Sequence, residues 1–144
     1  MSNPLYPIFI KTTQLHILIV GGGYVALEKL GFIFKSSPES RVTIVSPMLR
    51  EETASFIKGR NIKYIQDKYK KNNLKTAHLV IATTDNPQVN QQVFLDCRER
   101  NILVNVADSP SQCDFYMGSI VTKGNLKIGI STNGKSPTFT KRLR

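Results

Sequence analysis

Leu15–Ala26, reading LHILIVGGGYVA, decides the fold of this chain. Apolar, mostly β-branched residues run straight into three glycines, and an amphipathic pattern opens at Tyr24. That order predicts a buried strand, a tight turn and a helix start. Gly21, Gly23 and Ala26 fit the G-x-G-x-x-G/A pattern of dinucleotide-binding units. The first glycine supplies a turn that a Cβ would obstruct, the second lets backbone approach a pyrophosphate, and the small third residue lets the helix pack close to the strand. N–H groups at the helix N-terminus would face the phosphates, where aligned peptide dipoles favour negative charge. Gly21, Gly22, Gly23, Tyr24 and Val25 are therefore the first candidate cofactor contacts.

Working outward, Val25, Ala26, Leu30, Ile33 and Phe34 recur at helical spacing, and Pro38 closes the helix. Val42–Val45 is a second strand and completes a β-α-β unit of about 30 residues. NAD-binding units commonly place Asp or Glu at the end of this strand to hold the ribose hydroxyls. Here the chain reads Ser46-Pro47-Met48. Either Ser46, Pro47 and local backbone do that job, or the nucleotide is held differently; nearby Arg50 would tolerate a 2′-phosphate, so NADP stays open beside NAD.

Glu51–Lys58 reads as a helix, Ile62–Ile65 as a third strand, Lys68–Lys75 as a solvated basic connection and Ala77–Ala82 as a fourth, fully apolar strand. After it, Asp85 or Asn86 can cap a helix running to about Arg100. Loops at the carboxyl ends of parallel strands line the ligand crevice, which makes Thr83, Thr84 and Asp85 candidate cofactor contacts. Leu103–Ala107 is a fifth strand ending at Asp108. Strands and helices alternating at this rhythm predict an α/β domain over residues 1–113, a Rossmann-like doubly wound parallel sheet. Tyr6–Ile10, interrupted by Pro7, reads as a lead-in or edge strand.

The pattern changes after Asp108. Ser119–Val121 and Leu126–Ser131 form a β-hairpin joined by Thr122–Asn125, so residues 114–144 begin a second domain. A helix opening after Pro137 would complete barely two turns before Arg144, and the last element reads as cut short. Gly129–Ser136 matches the phosphate loop G-x-x-x-x-G-K-[ST], but Pro137 follows at once and no parallel sheet can be built from eight residues. A milder reading keeps Ser131, Thr132, Asn133 and Lys135 as a polar, positively charged loop suited to a carboxylate, the candidate substrate contacts.

Composition narrows the partners. Hydrophobic residues make up 40% and charged residues 21%, as in ordinary globular proteins. No stretch approaches the ~20 apolar residues of a membrane span, and the start lacks the features of a signal peptide, so a cytoplasmic protein without a membrane partner is expected. Cys97 and Cys113 have neither metal-ligand spacing nor a disulfide framework, and His16 and His78 open apolar runs as strand-end residues do; no metal site is expected. The formal net charge is +10, with 20 Lys and Arg against 10 Asp and Glu. Such a surface concentrates anionic partners. The basic clusters lack interleaved aromatics and no nucleic-acid motif accompanies them, which argues for a small polyacidic molecule over nucleic acid.

An ordered set of segments carries a resemblance: YPIFI (6–10), LIVGGGYVALEKL (18–30), VTIVSP (42–47), LVIATTDNPQVNQQV (79–93), NVADSP (105–110), FYMGSIV (115–121) and ISTNGKSP (130–137). The chain resembles precorrin-2 dehydrogenase, which also occurs as the N-terminal module of siroheme synthases. The resemblance implies NAD-dependent oxidation of precorrin-2, a tetrapyrrole, to sirohydrochlorin, with iron insertion in some members. It also implies a homodimer whose second domain, for dimerisation and substrate, starts with strands and continues into helices. A missing ribose-binding acid agrees with the family. By position Asp108 matches the family's critical aspartate, a general acid or base. Thr132 stands where some relatives carry serine, and Tyr24 where an acidic or small residue is expected. The competing expectation is a non-catalytic, NAD-sensing regulatory module, which would need neither Asp108 nor the hairpin.

Overall fold

The computed structural model describes residues 2–134 and divides into two compact units, Ile10–Asp114 and a second made from the first nine residues and those from Phe115 onward. The larger unit carries strands β1 (His16–Val20), β2 (Arg41–Val45), β3 (Ile62–Ile65), β4 (Leu79–Ala82) and β5 (Leu103–Val106). All pairings are parallel, in the order β3-β2-β1-β4-β5. Helices α1 (Tyr24–Ser36), α2 (Glu51–Ile57) and α3 (Pro87–Arg100) make the crossovers.

The connections explain the double winding. β1-α1-β2 and β2-α2-β3 step one way across the sheet and β4-α3-β5 the other; with right-handed crossovers, α1 and α2 lie on one face and α3 on the opposite face. Side chains alternate along each strand, so each face receives every second residue. Leu18, Val20, Val45, Val80, Ala82, Val104 and Val106 pack with Val93 and Cys97 of α3. The alternate residues Ile17, Ile19, Ile44 and Ile81 are equally buried, as are Ala26, Leu30, Ile33 and Phe34 of α1. A sheet covered on both faces accounts for strands that read as unbroken apolar runs.

Two connections hold finer detail. Within the basic stretch after β3, Lys71–Leu74 forms a 3-10 turn whose Leu74 is buried. Tyr69 of the same stretch donates to the buried Asp96 of α3 (2.8 Å), which also accepts from Gln92 (2.9 Å). Burial first, and this carboxylate second, push the Tyr69 hydroxyl above its ordinary pKa. At the amino edge of the sheet His16 lies between Thr43 Oγ1 (2.6 Å from Nε2) and Thr76, while its N–H donates to His78 Nδ1 (2.9 Å). Both histidines thus serve as strand-end fasteners.

In the smaller unit, β6 (Ser119–Lys123) and β7 (Leu126–Ile130) pair antiparallel with Lys123 opposite Leu126. That register leaves a two-residue turn, tighter than the four-residue connection read from the sequence. Gly124 occupies its first position at φ +58°, a value that suits glycine and matches strand twist. Tyr6–Ile10 forms no strand. Pro7 has no N–H for a ladder, and Tyr6, Ile8 and Phe9 stand exposed with no regular partner strand. The expected helix after Pro137 lies outside the described residues.

Candidate functional site

Parallel strands end at one common edge. Among the loops there are the glycine turn after β1, Ser46–Arg50 after β2, Thr83–Asn86 after β4 and the turn containing Asp108 after β5. β1 and β4 are neighbours from which the sheet is wound in opposite directions, so the loops after these two strands flank the switch point where α/β sheets open a crevice.

Each glycine has its own reason. Gly21 adopts φ +124°, and a Cβ there would overlap the Thr83 hydroxyl. That hydroxyl donates to Val20 O (2.9 Å), fastening the end of β4 to the start of the turn. Gly22 is crowded from the other side: a Cβ would meet Met48 O, Leu49 and Ser46 Oγ. Gly23 faces open space and is the N-cap of α1, with no side-chain cap and no acid in the first turn. Among the described residues no side chain caps the first-turn N–H groups of this 13-residue helix. A pyrophosphate fits that position: it would take the space a Cβ at Gly23 would fill, and the helix dipole favours its charge. Ala26, fully buried, keeps α1 close to the sheet.

The segment after β2 is sewn to this turn. Arg50 N donates to Gly22 O (2.9 Å), and Thr53 Oγ1 to Gly23 O (3.3 Å). Ser46 is buried and its hydroxyl donates to Met48 O (2.8 Å), so it shapes the loop in which Pro47 and Met48 are exposed. Tyr24, 65% exposed, carries the Arg50 guanidinium over its ring at 4.5 Å from the centroid. After β4, Thr84 and Asn90 exchange hydrogen bonds, Oγ1 to Oδ1 at 2.6 Å and Nδ2 to the Thr84 carbonyl at 2.9 Å. Asn86, not Asp85, caps α3 by accepting from Gln88 and Val89, with Pro87 in the first helical position. Asp85 is left exposed on the loop.

Asp108 sits in a turn closed by Ser109 N–H donating to Val106 O (3.1 Å). Its φ of +62° is the left-handed value that such a turn normally assigns to glycine or asparagine. The side chain is exposed, and among the described residues its carboxylate has no hydrogen-bond or ion-pair partner. The surrounding loop is pinned. Ala107 N reaches Ala82 O (3.0 Å), Cys113 Sγ donates to Val106 O (3.2 Å), and burial raises that thiol's pKa, keeping it protonated. Asp114 then returns to β5, its Oδ2 accepting from Val104 N (2.9 Å) and from Arg98 Nη1 (2.8 Å). The Arg98 guanidinium beside Asp114 holds its carboxyl below the usual range.

Ser131, Thr132 and Asn133 follow β7 in the smaller unit. Ser131 Oγ accepts from Asn133 N (3.2 Å), and Asn133 and Gly134 take φ +57° and +75°. Lys135 lies outside the described residues. Sequence reasoning missed the Asn90 clamp, the Asp114 clasp and the tie between Arg50 and the glycine turn. An Asn three residues after a proline, or an Asp eight residues beyond a strand, has no pattern that announces a loop contact.

Comparison with known proteins adds to this geometry. Residues 8–119 match the model of a family described as putative NAD(P)-binding. The chain belongs to that family. Residues 123–144 of this NAD(P)-binding family member match the model described as sirohaem biosynthesis protein central. Siroheme synthases of Psychrobacter arcticus and Psychrobacter sp. strain PRwf-1 are 34% and 37% identical over 139 residues, 96% of this chain. That of Methylobacillus flagellatus is 36% identical over 138 residues. The chain spans 25%, 28% and 29% of the length of these relatives. A solved structure of SirC, precorrin-2 dehydrogenase, superposes with a TM-score of 0.77 at 24% identity, over 96% of this chain and 67% of the other. It shares the fold: a Rossmann-like α/β sheet followed by an antiparallel hairpin.

Proposed function

We propose that this chain is an NAD-dependent dehydrogenase of siroheme biosynthesis, oxidising precorrin-2 to sirohydrochlorin. One arrangement carries the reading: a glycine turn with no side-chain cap and an exposed carboxylate without a partner among the described residues, on the same sheet edge, in a chain similar to siroheme synthases. Bound NAD would supply the hydride acceptor for this oxidation. Asp108 takes the proton that leaves the ring as the hydride departs, given hydrogen-bond reach to the substrate. Backbone at Gly21–Gly23, Tyr24 and Val25 binds the pyrophosphate, while Ser46–Pro47 and Thr83–Asp85 flank the dinucleotide. Ser131, Thr132, Asn133 and Lys135 serve the tetrapyrrole's carboxylates, which the net charge of +10 helps to attract.

The working form is a homodimer. Supporting this, a two-stranded hairpin is marginal by itself, and Ile120, Leu126 and Ile128 of β6 and β7 are exposed. The test is to supply the full-length protein with precorrin-2 and NAD and follow sirohydrochlorin by absorbance. Turnover is expected; ferrous ion added to the same assay tests iron insertion. Dinucleotide binding without any turnover would instead mark a regulatory module.

A further inference from the structure

At the end of α1 remote from the glycine turn, a cleft of ≈ 480 Å³ opens between the last turns of α1 and α2. That volume suits a single small molecule. Its floor is apolar: Phe34, 6% exposed, meets the half-buried Phe56 edge-on with ring centroids 6.1 Å apart, and Pro38 adds to it. Its rim is basic. Lys35, Lys58 and Arg60 line it and are exposed, and no acid lines it among the described residues. The acids of the same elements are engaged or placed elsewhere: Glu28 lies 4.0 Å from Lys29, Glu51 and Glu52 open α2 at its far end, and Glu39 is exposed beyond Pro38.

Folding does not account for two features of this cleft. Gly31, which lines it, occupies the interior of the 13-residue α1, where glycine is less stable than alanine. A Cβ there would meet nothing within 4 Å and φ is not positive, so neither space nor backbone requires glycine. What the missing side chain preserves is room in the cleft. The charge is the second feature. The C-terminal ends of α1 and α2 each carry about half a negative charge, so the three cations leave a surplus of about two positive charges. Lys35 and Lys58 have no ion-pair partner among the described residues. Arg60 is held in place: Nη1 donates to Phe56 O (2.5 Å), and the guanidinium lies over the Phe56 ring at 3.9 Å from its centroid. Its Nε and Nη2 have no partner among the described residues. A guanidinium fixed by one face and one nitrogen offers its other face to a flat ring and its remaining donors to an oxyanion.

We propose that this cleft binds a small aromatic anion, a carboxylate or phosphate ester carried on one or two flat rings. The rings lie against Phe34, Phe56 and the Arg60 plane, and the anion sits among Lys35, Lys58 and Arg60. The site is separate from the dinucleotide crevice and does not depend on it. Nuclear magnetic resonance titration of the whole chain, with NAD in excess, tests it using 2-naphthoate, its neutral analogue 2-naphthamide, and inorganic phosphate. 2-Naphthoate is expected to bind with a Kd of about 1 mM or tighter and at least about tenfold more tightly than either control, shifting the amides of Gly31, Lys35, Gly59 and Arg60. Gly31→Ala should raise Tm by about 2–6 °C, since α1 gains a better helix former. Gly31→Leu, which fills the cleft, should weaken 2-naphthoate by about tenfold or more in a chain that melts no lower than the unaltered one. Arg60→Ala, which asks for no new space, should weaken it by about fivefold or more. No saturation by 2-naphthoate below about 10 mM, equal affinity for the amide, shifts centred on other residues, or full affinity in either folded variant would overturn the proposal.

Discussion

Gly21 and Asp108 both occupy positive φ, and the contrast between them separates structure from chemistry. At Gly21 the φ of +124° and the Thr83 hydroxyl leave no room for a side chain. Gly21→Ala is expected to cost about 2–4 kcal/mol in urea unfolding, combining backbone strain with overpacking. A loss below about 0.5 kcal/mol would mean that the turn relaxes freely. Asp108 takes a position where glycine would be unstrained, yet it exposes a carboxylate that contacts nothing described. Strain retained at an unpartnered acid is the residue-level reason for assigning it chemistry. The glycine pattern was legible in the sequence because backbone geometry demands those residues. The left-handed turn at Asp108 was not, since aspartate also suits ordinary turns and caps.

Among the elements, the turn after β5 depends on a clasp distant from the crevice. Asp114 joins β5 through Val104 N and α3 through both Nη groups of Arg98. With its side chain 16% exposed, the acid is shielded enough for these charge-assisted bonds to count. Asp114→Ala should lower stability by about 1.5–3 kcal/mol and raise hydrogen exchange in the turn bearing Asp108. Unchanged exchange there would show that the turn holds itself. Strand and helix positions were readable from apolar periodicity, and α3 begins and ends where its Asn-Pro start and basic last turn indicate. Of the two readings of Tyr6–Ile10, the edge strand fails and the lead-in stands: aromatic and β-branched residues have strand propensity, while pairing requires a neighbour that propensity cannot supply. Side-chain ties such as Arg98–Asp114 and Arg50–Tyr24 were hidden because they join residues far apart in sequence.

For the whole molecule, acid weakens the fold in two stages. Burial holds the His16 imidazole below its ordinary pKa, with Arg41, His78 and Lys63 adding to the effect against the raising influence of the Thr76 carbonyl. The unfolded chain binds that proton first, so stability falls as pH drops below about 6.5. Asp114 has a depressed folded value, and its contribution is lost at lower pH, as the medium passes below about 4 and through that value. Thermal unfolding from pH 8 to 3 should show both declines, and His16→Gln should flatten the first; an unchanged slope would remove His16 as its source. The doubly wound parallel sheet was legible because strands and helices alternate along the chain; the strand order itself comes from the structure. What the whole arrangement claims is that the glycine turn holds the oxidant while Asp108 moves the proton. Steady-state oxidation of precorrin-2 by Asp108→Asn in the full-length protein, alongside calorimetric dinucleotide affinity, tests this most directly. Asparagine suits the left-handed turn, so the account predicts turnover reduced by about 100-fold or more with affinity within about threefold; turnover equal to the unaltered protein would contradict it.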